Sequence, residues 1–213
     1  MQLTIAIRNL LATVCHQLAS RSFCGHGGCL PLCQRCTGIY VGVALVAAYW
    51  RFRAAHIRIL PTWPAVAFLV CALGLLILNV AGVVASQPAG WCRFVTGTLA
   101  GAGVAMVASP LAFGEHGWER GLPSTATLAE VAVLGAVTVA TAVLGSLIIR
   151  YAIVPVSIVV AGLVLGAFVS LWAAFLRGVG WAIRSTPPRR RVTAGMAAAL
   201  TILQFALMWA VRK

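Results

Sequence analysis

Six apolar stretches, at about residues 35–50, 64–85, 94–113, 126–149, 153–176 and 193–211, take up most of this chain, and the segments between them are short. A helix needs about 20 such residues to cross a hydrocarbon core of roughly 30 Å. Inside that core the backbone finds no water, so stretches of this length satisfy their N–H and C=O groups by forming helices. The pattern predicts an all-α, polytopic membrane bundle of about six transmembrane helices. It divides the chain into an interfacial helix with a Cys/His-rich loop over 1–34 and a six-helix transmembrane domain over 35–213.

Composition agrees with this. Of 213 residues, 62% are hydrophobic and 9% charged, whereas a soluble domain carries roughly a quarter charged residues. The net charge of +13 arises from fifteen Arg and one Lys against three Glu and no Asp. These cations sit singly or in short runs between apolar blocks. That argues against a nucleic-acid partner, which needs them gathered on one polar face, and favours loops lying on anionic membrane lipids. With six spans, nine basic residues fall on one side and seven on the other, and eight of the nine lie in two loops, around 51–58 and 177–191. The positive-inside rule then puts both chain ends outside the cytoplasm of a cell membrane.

The first residues, MQLTIAIRNLLATVCHQLA, have no basic region ahead of the apolar run and no clear cleavage site, so they read as retained. Leu3, Ile7, Leu10, Leu11 and Val14 recur at helical spacing, as in an amphipathic helix lying in the interface. Trp50, Trp63, Trp91 and Trp209 fall at predicted helix ends, where an aromatic belt is expected. Gly97 with Gly101, and Gly162 with Gly166, would let the third and fifth helices approach neighbours closely.

Chemistry-bearing residues concentrate between Cys15 and Cys36. This stretch holds five of the seven cysteines and two of the four histidines, as Cys15-His16, Cys24-x-His26-x2-Cys29 and Cys33-x2-Cys36. Cys33 and Cys36 should share one face at the start of the first membrane helix. Helix-start amides and Arg35 would there favour their thiolate forms. Three uses follow. Cys33 and Cys36 could supply half of a tetrahedral zinc site, completed by Cys15 with His16, or by Cys24, His26 and Cys29. They could instead be a redox pair that exchanges with Cys24 and Cys29 and passes electrons to a quinone. Or the cysteines could form structural disulfides outside the cell. Cys92 is expected on the same side as the cluster, and Cys71 is expected to be a buried apolar filler. Arg93, at the edge of an apolar helix, either snorkels to headgroups or joins Arg21 and Arg35 around an anion or a quinone oxygen. A carrier for an anionic lipid or solute is thus a further reading. Whether the protein is an enzyme is left open by these residues.

Cys15-His16-Gln17, Arg21-Ser22-Phe23, the run Pro31-Leu32-Cys33-Gln34-Arg35-Cys36-Thr37-Gly38-Ile39-Tyr40, and Gly42 resemble the signature of domain-of-unknown-function family 2085, a family of small prokaryotic membrane proteins. Arg93-Phe94-Val95-Thr96-Gly97 resembles its second motif, and the likeness runs from about residue 10 to 105. It implies Cys15, His16, Cys33 and Cys36 as the core set, with Cys24, His26, Cys29 and Cys92 particular to this chain. It also implies an acidic residue ahead of the second motif, where this chain has Leu78-Asn79-Val80.

Overall fold

The computed structural model describes residues 7, 9, 11, 14–15, 19–25, 28–53, 62–82, 90–113, 127–149, 153–184 and 190–211. All four histidines, at 16, 26, 56 and 116, and Leu3 and Leu10 lie outside this set. Six long helices form the body: α1 Gln34–Arg53, α2 Trp63–Val80, α3 Gly90–Phe113, α4 Leu128–Ile149, α5 Ile153–Arg184 and α6 Arg190–Val211. The expected all-α polytopic bundle is therefore what the chain builds. By length and composition, α2 to α5 are able to cross a membrane, while the apolar run in α6, Val192–Ala206, is shorter. Among the described residues, α1 does not join this set, because it carries Gln34 and Arg35 at one end and Arg51 and Arg53 at the other.

The outward faces are apolar. Trp63, Val70, Ile77, Val133, Leu144 and Ile202 are all largely exposed, a surface that water disfavours and lipid solvates. Cys71 is exposed among them rather than buried as expected. Hydroxyls inside the helices turn back on their own backbone: Thr98 Oγ1 donates to the Phe94 carbonyl at 2.7 Å, and Thr138 Oγ1 to that of Leu134 at 2.6 Å. Such back-bonding satisfies a donor where water is absent. Gln204 does the same between helices, accepting from Trp172 Nε1 at 2.9 Å and tying α6 to α5.

The closest contact in the bundle joins α1 and α3. A Cβ placed on Gly38 or Gly42 would strike the backbone of Phe94, Thr98 and Ala102, and one on Gly97 or Gly101 would strike the carbonyls of Arg35 and Ile39. Two glycine pairs, each spaced by four, thus face each other, and nothing larger than hydrogen fits between the helices. Gly162 and Gly166, with the same spacing, do not behave as expected: among the described residues, no other element comes within 4 Å of a Cβ placed on either. They border an open groove beside Ala44 and Ala48 of α1. Trp50 is also a correction, since it is 1% exposed and packs with Met106 and Leu134 instead of reaching an interface. Arg177 lies inside α5 with its side chain buried, and Arg51, Arg53, Arg184, Arg190 and Arg191, also assigned to loops, fall within the ends of α1, α5 and α6.

The Cys-rich segment is an antiparallel hairpin, β1 Ser22–Gly25 and β2 Gly28–Cys33, pairing Cys24 with Cys29 and Gly25 with Gly28. Phe23, Leu30 and Leu32 turn into the bundle, where Phe23 meets Phe94 edge to face at 5.3 Å. Leu11 is fully buried in the same cluster, with Ile7 and Val14 against it. The described part of the amino-terminal segment therefore packs on protein.

Because the α1–α3 contact has no room for a methyl group, Gly101→Ala should destabilise the protein by about 1–3 kcal/mol, the range for overpacking. Gly162→Ala, facing open space, should be neutral or slightly stabilising, since alanine is the better helix former. Thermal unfolding in detergent compares the two. Equal effects would contradict the assigned contact.

Candidate metal centre and the cavity beside it

The hairpin feeds directly into α1, and that junction sets the thiols. Cys33 is the last residue of β2, and the helix begins at Gln34, so Cys33 and Cys36 do not lie together on one helix face as the spacing suggested. Cys33 takes the cap position: its Sγ accepts the amide N–H of Cys36 at 3.5 Å, satisfying one of the helix-start donors. Its carbonyl accepts the buried hydroxyl of Thr37 at 3.1 Å. Cys15 reaches this junction from the amino-terminal segment, and its Sγ accepts the Cys33 amide at 3.3 Å.

The sulfurs of Cys15, Cys33 and Cys36 consequently lie within 4.8 Å of one another. Cys15 is buried and the other two are half-buried. Crowding changes the expected protonation. The hydrogen bond with the Cys15 thiol and burial raise the Cys33 pKa above its ordinary value, and the contacts with Cys36 that lower it do not compensate. A neutral thiol, not the expected thiolate, is the resting form of Cys33 without a cation to share.

Cys24 and Cys29 are joined in a disulfide across the hairpin. That removes both from the secondary ligand set, and the structural-disulfide reading holds for this pair alone among the seven cysteines. Cys92, in the first turn of α3, is not part of the thiol cluster. His16 and His26 fall outside the described residues.

Next to the thiols lies a cavity of about 240 Å³, lined by Arg21, Cys33, Arg35, Asn79, Val80, Gly82 and Arg93. Three elements converge here as a result of the α1–α3 contact. Arg35 stands in the first turn of α1, Arg93 in the first turn of α3, and Asn79 in the last turn of α2. Arg21 ends the short helical turn before β1. Arg35 Nη2 donates to Asn79 Oδ1 at 3.0 Å. Gly82, at φ 74°, closes α2 in the left-handed conformation that glycine adopts without strain, just past Asn79. The three arginines grouped from sequence thus share one wall with Cys33. Asn79 was missed as a site residue; an amide alone in the apolar run LLILNV is the signal that marks it.

Residues 15–107 match the family described as Predicted membrane protein (DUF2085), which bears out the resemblance read from the two motifs. The match ends within α3, so α4 to α6 lie outside it. No curated protein and no solved structure matches the chain.

Alkylation of the denatured protein with chelator present should label five cysteines before reduction, and two more, Cys24 and Cys29, only after it. Peptide mass spectrometry reads this directly. Label on Cys24 before reduction would contradict the disulfide.

Proposed function

We propose that Cys15, Cys33 and Cys36 hold one metal ion, zinc, at the extracytoplasmic surface of the cell membrane. The observation that carries this is the meeting of three sulfurs within 4.8 Å. Tetrahedral zinc with bonds of about 2.3 Å sets its sulfurs about 3.8 Å apart, whereas a disulfide needs about 2.05 Å. Two backbone amides already point at these sulfurs, from Cys33 and from Cys36, as second partners do for metal-bound thiolates. A divalent cation offsets the mutual repulsion of three thiolates, which a bare cluster relieves by keeping its protons. His16, the neighbour of Cys15, is the candidate for the fourth position; an open fourth position would leave the ion accessible to a ligand. The centre fastens the amino-terminal segment to the hairpin and to α1, so a structural role accompanies any other.

Extracytoplasmic placement is supported by the Cys24–Cys29 disulfide, since such bonds persist in oxidising compartments. It is also supported by the concentration of arginine in the segments that would face the cytoplasm.

A second reading, thiol–disulfide exchange through Cys33 and Cys36 with a quinone as electron acceptor, draws on the reduced Cys33-x2-Cys36 pair beside an existing disulfide. The raised Cys33 pKa counts against it, because the attacking species is the thiolate.

Elemental analysis of the purified full-length protein should find about one zinc per chain. Cys15→Ser, Cys33→Ser and Cys36→Ser should each lose most of it, while Cys71→Ser and Cys92→Ser keep it. His16→Ala should lose as much as the cysteine variants if imidazole is the fourth ligand, whereas exchange chemistry gives His16 no required part. Trapping of a mixed disulfide in Cys36→Ser, with no metal in the wild type, would favour exchange. Metal uptake should release protons at neutral pH, and retention should weaken as pH falls, because the Cys33 proton must leave before the sulfur can bind.

A further inference from the structure

The arginine-lined cavity is not explained by the thiolate centre, and its charge is what remains to be accounted for. Three guanidiniums line it and, among the described residues, no carboxylate joins them. Among the described residues the one acidic side chain is Glu130, at the start of α4 and the opposite end of the bundle. There its carboxylate accepts the Thr127 N–H at 2.9 Å, and its own N–H donates to Thr127 Oγ1 at 3.3 Å, a reciprocal cap. Asn79 gives Arg35 an acceptor but no counter-charge.

The cavity also has donors to spare. Asn79 is 3% exposed, and its Nδ2 and Arg35 Nε are buried donors with no acceptor among the described residues. Leaving a buried donor unmatched costs about 1–3 kcal/mol, and three cations around one space repel one another. The first turns of α1 and α3, which carry Arg35 and Arg93, add the positive ends of two helix dipoles. An anion rich in oxygen relieves all of these at once.

We infer that this cavity binds a phosphate monoester group. Guanidinium forks match phosphate oxygens in geometry. Three guanidiniums exceed the single charge of a carboxylate and suit a phosphate monoester of about −1.5 to −2. The volume of about 240 Å³ falls below the roughly 300–1,000 Å³ of pockets that enclose drug-sized ligands. It therefore takes a headgroup rather than a whole molecule. The group arrives either on a soluble phosphate or as the headgroup of a lipid. The site adjoins the thiol cluster through Cys33, which lines the cavity, but its three arginines and Asn79 are not among the proposed metal ligands.

The test uses the full-length protein in uncharged detergent, titrated with inorganic phosphate by calorimetry. In parallel, the protein is reconstituted in phosphatidylcholine nanodiscs with and without phosphatidic acid, and lipid retention is read by native mass spectrometry. Saturable binding of one equivalent of either probe supports the site. Inorganic phosphate alone would assign a soluble ligand, and phosphatidic acid alone a lipid. Asn79→Asp, which keeps the side chain's shape but gives Arg35 a carboxylate, should weaken binding by roughly tenfold or more. Arg93→Gln should do likewise, and Cys71→Ser should change nothing. Asn79→Asp is nearly isosteric, so an unchanged melting temperature separates lost binding from lost fold. Failure of both probes to bind, or binding indifferent to Asn79→Asp, would overturn the inference.

Discussion

The approach of α1 to α3 is the constraint from which the rest of this end of the molecule follows. Gly38 and Gly42 meet Gly97 and Gly101 with backbone against backbone. In a lipid setting, where apolar surface alone does not drive helices together, such close packing is a principal source of attraction between them. It also fixes the register. The carbonyl of Arg35 rests where a Gly97 side chain would be, so the first turns of both helices open on the same level.

That level is where the chemistry collects. The turn that begins α1 presents Cys33 as its cap and Cys36 and Arg35 within it, and the turn that begins α3 presents Arg93. The hairpin, held down by Phe23 on Phe94 and by Leu30 and Leu32, delivers the chain to Cys33 from the outside. Cys15 arrives through the burial of Leu11 beside it. Negative charge is available from sulfur on one side of Cys33, and positive charge from guanidinium accumulates on the other. Among the described residues, Cys33 is the one side chain that belongs to both the thiol cluster and the cavity.

Much of this was legible in the sequence, for identifiable reasons. Helices α2 to α5 were readable because long apolar runs in a chain with so little charge have no other stable form. The thiol stretch stood out by density. What could not be read was geometry set by partners. The glycine spacing of four occurs in α1, α3 and α5, but only the first two find each other, because spacing does not name the helix that fills it. Cys33 looked like a helix residue and is a cap, since the β-hairpin continues through Pro31 and Leu32 to the helix start. That hairpin was itself signalled by Cys24-Gly25-His26-Gly27-Gly28-Cys29, read only as a loop. Trp50 could pass for an interfacial anchor because its position at the end of α1 says nothing about the core cluster, shared with Met106 and Leu134, in which it is buried. Asn79 could not be connected to Arg35 across 44 positions of sequence without the fold.

The central claim is that three thiols from two separated parts of the chain bind one ion. X-ray absorption at the zinc edge of the purified protein tests it most directly. The account predicts three sulfur neighbours at about 2.3 Å and one lighter neighbour at about 2.0–2.1 Å. A shell made only of nitrogen and oxygen, or a protein without metal in which Cys33 and Cys36 are joined to each other, would contradict it.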